Sequence, residues 1–224
     1  MNFLSRTPLS LLLSGDIQGF ALNLLYILPA LIIAVSFHEA AHAWMANRMG
    51  DPTAKNLGRL TLDPTKHFDI WGIMMFAFVG FGWGRPVPTN PRNYHNYKKG
   101  NVLVAISGVV TNIILSFIFY GLFVLLFGVF DIKVEAIYWI VRNLVILNII
   151  LCFFNLLPIP PLDGHHLVKG FIARISPNFY MAYQRYGFYV LIALLVFTDV
   201  IQIMLGFFTS LLLGLYDAFF GLFF

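Results

Sequence analysis

Long apolar stretches constrain the fold of this chain more than any other feature. They cover residues 17–47, 102–130, 134–157 and 186–224. A bilayer core of about 30 Å is crossed by roughly 20 apolar residues in helical form, so each stretch is long enough to span a membrane. The last one could hold one long helix or two short ones, with Gly206 and Gly214 as possible breaks. The sequence therefore predicts an all-α polytopic membrane protein with four to six transmembrane helices.

The composition excludes several other classes of protein. Apolar residues make up 59% of the 224 residues, and charged residues only 11%. Soluble domains carry about 25% charged residues, so a soluble globule could not cover this much apolar surface. A disordered chain and a nucleic-acid-binding protein are excluded for the same reason, despite the net charge of +4. We expect membrane lipid around the chain and no nucleic-acid partner.

The segment between the first two apolar stretches has a different character. Residues 70–84, IWGIMMFAFVGFGWG, form a short stretch that is rich in glycine. This is too short for a regular span, so it predicts a small re-entrant β-hairpin or loop. No internal repeat or polar linker is visible. We therefore predict a single membrane domain over residues 1–224, with a core at 20–175 and the C-terminal membrane helix or helices at 184–224.

Basic residues indicate the orientation in the membrane. Eleven of the 14 lysines and arginines lie between the first two spans or after the third. If residues 70–84 do not cross the membrane, all eleven lie on one side. The excess of positive charge on cytoplasmic loops then predicts that this side is the cytoplasm. The N-terminus and the loop at residues 131–135 would lie outside.

The first apolar stretch contains the sequence His38-Glu39-Ala-Ala-His42. Two histidines four residues apart lie on one face of a helix and can bind the same metal ion. In this HExxH pattern the glutamate handles a proton of water and does not need to bind the metal. Ionisable groups in the middle of a membrane helix are costly, so an idle set of three is not expected. The pattern predicts one zinc ion per chain, with Glu39 as the catalytic base.

A third ligand is expected after the third span. The segment from Asn155 to Gly164, NLLPIPPLDG, contains three prolines that break the helix within an apolar stretch. Irregular backbone at membrane depth is expected where it lines a cavity, which makes Asp163 the natural third ligand. Asp163 could instead cap a helix at residues 164–175. His165 and His166 are competing ligands, although an interfacial position is the simpler interpretation for both.

Five motifs in order make the chain resemble the site-2 protease family of intramembrane zinc metalloproteases. They are FHEAAHAW (37–44), DPTKHFD (63–69), GWGRPVPTNPR (82–92), SGVVTN (107–112) and FNLLPIPPLDG (154–164). The resemblance implies that His38, His42 and Asp163 bind zinc and that Glu39 is the catalytic base. It also makes Asn112 and Asn155 candidates to bind the substrate backbone or the developing oxyanion. For Asn112 an interhelical hydrogen bond is an equal alternative, and His67 with Asp69 is expected to fix a loop.

The expected function is therefore hydrolysis of peptide bonds in or near transmembrane segments of other proteins. Substrates would be single-span membrane proteins, cut within the bilayer near the cytoplasmic side of the cell membrane. One alternative is a zinc-binding membrane transporter or a non-proteolytic scaffold, but transport does not require HExxH spacing. Another is a membrane-anchored protease that acts on exposed loops, but such an enzyme would carry the motif in a soluble domain.

Overall fold

A computed structural model describes residues 8–79 and 82–223, without the side chains of Leu9 and Val79. The described part of the chain is helical, with short connections. The helices are α1 (Pro8–Leu13), α2 (Ile17–Arg48), α3 (Thr53–Asn56), α4 (Ile70–Val79), α5 (Tyr97–Phe123), α6 (Glu135–Asn155), α7 (His165–Ile175), α8 (Pro177–Phe197) and α9 (Val200–Phe220). A π-helical segment, Val124–Val129, continues α5.

Five of these helices are long and apolar enough to cross a membrane, which confirms the predicted multi-pass architecture. They are α2, the continuous α5 segment Tyr97–Val129, α6, α8 and α9. Helix α2 has 32 residues and extends about 48 Å at 1.5 Å per residue. Helices α2, α5 and α6 pack together as the centre of the bundle. Their contact includes Ile27, Leu31, Leu144 and Leu147, which are all buried.

The predicted β-hairpin between the first two spans is wrong. Within the described residues no strand is present, and residues 70–79 form helix α4. The side chain of Asp69 accepts hydrogen bonds from the backbone N–H groups of Trp71 (3.0 Å) and Gly72 (3.1 Å), which caps the helix. The ten residues that follow this cap do not alternate between apolar and polar side chains, as the residues of a half-buried strand would. Gly80 and Phe81, in the glycine-rich part, lie outside the described residues.

Glycines in this segment allow the backbone to return against α4. A Cβ atom on Gly72 would lie 1.9 Å from the carbonyl oxygen of Trp83, and one on Gly82 would lie 2.2 Å from the carbonyl oxygen of Gly72. The only strand-like contact among the described residues is a single antiparallel bridge between Phe68 and Gly84. The two ends of the segment therefore meet, so it enters and leaves at the same level of the bundle.

The C-terminal apolar stretch forms two helices rather than one. The break lies at Thr198 and Asp199, whereas Gly206 and Gly214 lie inside α9, so the predicted glycine breaks are wrong. Helix α9 is attached to α5 by polar groups. The Ser116 and Tyr216 hydroxyl groups lie 2.8 Å apart, and the hydroxyl of Tyr120 donates to Asp217.

The loops rich in basic residues meet at one end of the bundle. After α2, the carbonyl oxygen of Met49 accepts a hydrogen bond from the N–H of His95, just before α5 (2.8 Å). On α7, the ammonium group of Lys169 donates to Asn101 Oδ1 at the start of α5 (2.6 Å). This end of the bundle therefore collects the C-terminal end of α2, the N-terminal end of α5 and helix α7.

Candidate metal centre and active site

Helix α2 brings the two histidines of the HExxH pattern together. One helical turn separates His38 and His42, so their rings project from the same face. Their Nε2 atoms lie 3.0 Å apart, and their ring centroids are separated by 4.6 Å. Both residues are buried, with 6% and 8% of their surface exposed.

The loop between α6 and α7 places Asp163 beside these rings. Its Oδ2 atom lies 3.0 Å from His38 Nε2 and 3.1 Å from His42 Nε2. Gly164 closes the loop by donating its N–H to the carbonyl oxygen of Asn155 (2.7 Å). A Cβ on Gly164 would lie 2.2 Å from the carbonyl oxygen of Leu156, so the loop requires glycine there. His38, His42 and Asp163 are the group of potential metal ligands that the described residues bring together.

The hydrogen-bond partner of Nδ1 determines which nitrogen of each imidazole carries the proton. His42 Nδ1 lies 2.7 Å from the carbonyl oxygen of Val104, which can only accept a hydrogen bond. His38 Nδ1 lies 2.6 Å from Asn112 Oδ1. The amide of Asn112 is oriented by two donations from its Nδ2, to Asn148 Oδ1 (2.8 Å) and to the carbonyl oxygen of Ala34 (3.2 Å). Both Nδ1 atoms therefore carry the proton in the neutral imidazoles.

This arrangement leaves three acceptors facing one another. With both Nδ1 atoms protonated, the two Nε2 atoms present lone pairs, and so does the ionised carboxylate of Asp163. Three lone pairs within about 3 Å repel one another unless a cation lies between them. Two imidazole nitrogens and one carboxylate oxygen form a ligand set that zinc accepts in catalytic sites. The residues present therefore fit a zinc ion.

Helix α5 carries the motif SGVVTN and forms a wall of the site, at a closeness that the sequence did not predict. A Cβ on Gly108 would lie 2.5 to 2.7 Å from atoms of the His38 ring, so α5 can approach this closely only with glycine. Ser107 Oγ lies 3.3 Å from His42 Nδ1 and donates to the carbonyl oxygen of Val104 (2.7 Å). Asn148 of α6 could have been found from the sequence, because a polar residue within an apolar stretch indicates a buried hydrogen-bonding role. The role of the Val104 carbonyl group could not have been found in this way, because every residue has a backbone carbonyl group.

Glu39 lies beside the histidines but outside the cluster of potential ligands. Its Oε2 atom accepts a hydrogen bond from the backbone N–H of Val87 (2.8 Å). No hydrogen bond involves Oε1 in the part of the chain that the structure describes. One carboxylate oxygen is therefore held, and the other is available.

The two asparagines predicted to bind substrate lie in different surroundings. Asn112 is completely buried, and its amide is engaged with His38, Ala34 and Asn148. The Nδ2 group of Asn155 donates to the carbonyl oxygen of Leu151 in the same helix (3.0 Å). The structure thus includes the interhelical hydrogen bonds that were the alternative for Asn112.

The other histidines have separate partners. His165 lies 2.8 Å through Nδ1 from the carbonyl oxygen of Leu162, and His166 Nδ1 lies 3.1 Å from Lys169 Nζ. Burial lowers the pKa of His165 and lowers that of His166 to about 4, so both imidazoles are neutral. His67 is fully buried, and its Nε2 lies 2.8 Å from the carbonyl oxygen of Thr61, while among the described residues no ion pair joins His67 to Asp69.

Comparison with known proteins identifies the family. The sequence pattern of peptidase family M50 matches residues 26–143 and 131–198, which include the HExxH segment and Asp163. The chain belongs to this family, the site-2 proteases. It is 38% identical over 180 residues to YwhC of Bacillus subtilis, which is named as a zinc metalloprotease. That match covers 76% of this chain and 80% of YwhC.

More distant relatives carry a similar name. Rip2 of Mycolicibacterium smegmatis is 24% identical over 171 residues, which cover 74% of this chain and 64% of that protein. Rip2 of Mycobacterium tuberculosis is 30% identical over 140 residues, which cover 60% of this chain and 52% of that protein. Both are named as zinc metalloproteases. No solved structure matches the chain.

Family membership and the five apolar helices together establish the class of function. The chain is an intramembrane zinc metalloprotease. Zinc is its metal, in agreement with the three convergent ligand atoms. A transporter or a non-proteolytic scaffold is not favoured by these findings.

Proposed function

We propose that His38, His42 and Asp163 hold the zinc ion and that Glu39 is the catalytic base for hydrolysis of peptide bonds in transmembrane segments. The observation that carries this proposal is the convergence of three lone pairs beside a carboxylate with one free oxygen. Zinc held there would supply a Lewis acid that polarises the scissile carbonyl and acidifies a water molecule.

The protein residues would divide the remaining work among them. Glu39 Oε1 accepts a proton from the attacking water and passes it to the leaving amine nitrogen. The N–H of Val87 holds Oε2 during this transfer. The carbonyl oxygen of Val104 and the side chain of Asn112 keep both imidazoles in the tautomer that leaves Nε2 free.

The roles of the two asparagines differ in this account. Asn112 positions His38, because its amide is fully buried and has no free donor for a substrate. For Asn155 a contact with the substrate backbone stays a prediction. Its Nδ2 uses one N–H for the carbonyl oxygen of Leu151, so its second N–H and its Oδ1 are the groups available for such a contact.

We further propose that the substrates are single-span membrane proteins and that the site lies near the cytoplasmic face. The contacts of Met49 with His95 and of Lys169 with Asn101 support this orientation, because they join the basic loops at one end of the bundle. His42 lies in the last two turns of α2, towards the same end. The positive-inside rule assigns that end to the cytoplasm. The domain is proposed to comprise residues 1–224, with its core at 20–175.

The test is co-expression with a panel of single-span membrane proteins from the same genome. Cleavage products are compared between the wild type and Glu39→Gln, which preserves the shape of the side chain but cannot accept the proton. We expect products from some members of the panel with the wild type and none with the variant. Identical products from both enzymes would contradict the assignment of Glu39.

A further inference from the structure

The extended segment Arg85–Val87 has one edge on which three backbone groups are bound by the protein itself. The N–H of Arg85 donates to the carbonyl oxygen of His67 (2.7 Å), and the carbonyl oxygen of Arg85 accepts from Arg59 Nη2 (2.5 Å). Two residues later the N–H of Val87 donates to Glu39 Oε2 (2.8 Å). In an extended chain, residues i and i+2 direct their backbone groups to the same edge. One edge of this segment therefore connects Arg59 and His67 to the catalytic carboxylate.

The local sequence stiffens this segment. Pro86 and Pro88 alternate with the two residues whose backbone groups are used. Proline fixes its own φ angle and disfavours the helical region for the residue before it. Arg85 and Val87 both precede a proline, so both are restricted to extended conformations. The direction of the Val87 N–H is thus set before any substrate binds.

Arg59 is buried in a way that an ion pair does not explain. Only 7% of its surface is exposed, and within the described residues no carboxylate oxygen lies within 4.0 Å of it. A buried cation without a paired anion is costly, so stability alone does not account for an arginine in this position. Burial lowers the pKa of Arg59, whereas the negative charge of Glu39 raises it, which indicates that the two groups act on each other. The hydrogen bond that Arg59 makes is the one from its Nη2 to the carbonyl oxygen of Arg85.

We propose that Arg59 and the segment Arg85–Val87 form a bracket that positions Glu39 for proton transfer. The N–H of Val87 fixes Oε2, and Arg59 with the carbonyl of His67 keeps the segment against the carboxylate. Oε1 is left free and aimed for the proton of the attacking water. This proposal deepens the function proposed above and rests on it. Arg59 and Val87 are positioning residues, since they act through Glu39 and not on the substrate.

The alternative role for the hydrogen bond from Val87 to Glu39 is that of a latch, which holds the carboxylate inactive and must break before catalysis. A latch and a bracket predict changes of opposite sign when the donor is deleted. Removing a bracket lowers the turnover number, because the base loses its orientation. Removing a latch raises it, because the base is released.

The first experiment deletes the single N–H group. Val87→Pro removes the donor while keeping an extended backbone, and Val87→Ala removes most of the side chain while keeping the donor. With purified enzyme and a substrate that the wild type cleaves, we expect kcat of Val87→Pro to be roughly 10- to 100-fold below that of Val87→Ala, the scale for a misplaced catalytic group. KM and zinc content should be equal in the two variants. Equal or higher kcat in Val87→Pro would overturn the proposal.

The second experiment changes Arg59, which holds the segment Arg85–Val87 in place. Arg59→Gln removes the charged donor to the carbonyl of Arg85, and Arg59→Lys retains one. We expect Arg59→Lys to recover much of the kcat lost in Arg59→Gln, with zinc content and KM unchanged in both. If Arg59→Gln loses zinc, or if Arg59→Lys is no better than Arg59→Gln, Arg59 does not position Glu39.

A control separates this inference from the function on which it rests. Glu39→Gln is measured in the same assay. If Glu39→Gln is as active as the wild type, the proposed function fails. If Glu39→Gln is inactive while Val87→Pro matches Val87→Ala, the function stands and the bracket is wrong.

Discussion

At the scale of single residues, the histidine tautomers connect the fold to the chemistry. Two acceptors, the carbonyl oxygen of Val104 and Oδ1 of Asn112, each take the Nδ1 proton of one imidazole. The orientation of Asn112 depends in turn on Asn148, whose Nδ2 donates to the carbonyl oxygen of Leu144 (2.7 Å). Metal affinity should therefore depend on residues that do not touch the metal.

Asn112 provides a direct test of this dependence. Asn112→Leu removes the acceptor for His38, so zinc affinity should fall by about 10- to 100-fold. Asn112→Asp keeps an acceptor oxygen and should lose less. Asn143→Leu is the matched control, because Asn143 of α6 is buried like Asn112 but donates to the carbonyl oxygen of Tyr26, away from the histidines. Competition with a chelator measures the affinities, and equal values for Asn112→Leu and Asn143→Leu would contradict the tautomer argument.

Gly108 tests the close approach of α5 to the metal centre. In Gly108→Ala the new methyl group would lie about 2.5 Å from the His38 ring, so the ring or the helix must move. We expect zinc affinity to fall by at least about tenfold. Gly206→Ala is the control, because a Cβ there meets no atom within 4 Å. Unchanged zinc affinity in Gly108→Ala would show that the site tolerates a wider separation of α2 and α5.

At the scale of elements, the sequence predicted the spans better than the connections. The apolar stretches at residues 17–47, 102–130 and 134–157 correspond to α2, α5 with its π-helical extension, and α6. Their length alone requires this, because an apolar run of that length has few alternatives in a bilayer. The HExxH spacing also brought His38 and His42 to one face, as the 3.6-residue period requires.

The short elements were predicted less well because glycine has more than one structural use. Glycines in residues 70–84 favoured a hairpin, but Gly72 and Gly82 allow two backbone segments to pack closely around helix α4. Gly206 and Gly214 favoured a break in the last apolar stretch, but they lie inside α9. The contacts of Val104 and Val87 were not predictable from residue type, because they use backbone atoms.

Asp51 joins two elements that support the site. It lies just after α2, is fully buried, and accepts hydrogen bonds from the N–H of Asn90 (2.6 Å), from Asn93 Nδ2 (2.8 Å) and from Thr53. Burial raises the pKa of its carboxyl group, but the hydrogen bonds from Thr53, Asn90 and Asn93 outweigh burial and lower it below 3.8. The contacts hold the chain that follows the Arg85–Val87 segment.

The stability that Asp51 contributes should depend on pH. A carboxyl group with a lowered pKa stabilises the folded state above its unfolded pKa, and this contribution is lost as the pH falls through the folded pKa. We expect Asp51→Asn to lower the free energy of unfolding by about 1.5–3 kcal/mol at pH 7. The difference from the wild type should shrink below about pH 4. Thermal unfolding in detergent measures both effects.

An exposed aspartate provides the comparison for Asp51. Asp131 pairs with Lys133 at the surface, where both side chains are more than 70% exposed. Asp131→Asn should change the free energy of unfolding by less than about 0.5 kcal/mol. An effect of Asp51→Asn no larger than that of Asp131→Asn would show that Asp51 does not anchor this region.

At the scale of the whole molecule, orientation in the membrane is the principal prediction. Because the segment that contains α4 enters and leaves at the same level of the bundle, we expect the chain to cross the bilayer once within α2 and again from residue 97. The basic loops then share one side, and the loop at residues 131–135 lies on the other. The native Cys152 is completely buried and should not react with a polar thiol reagent.

Cysteine labelling tests this orientation. We expect Asp131→Cys to react with a membrane-impermeant maleimide in intact cells, because the loop faces outside. Lys99→Cys should react only after the membrane is permeabilised. Labelling of Lys99→Cys from outside intact cells would contradict the proposal that the segment containing α4 does not cross the membrane. It would also contradict the cytoplasmic position of the site.

Zinc content measured beside cleavage in the same purified variants tests the central claim most directly. The account predicts one zinc ion per chain in the wild type and in Glu39→Gln, with cleavage only in the wild type. It predicts loss of both zinc and cleavage in His38→Ala, His42→Ala and Asp163→Ala, because each removes one of the three convergent ligand atoms. Full zinc occupancy in Asp163→Ala, or cleavage by Glu39→Gln at the wild-type rate, would contradict the account.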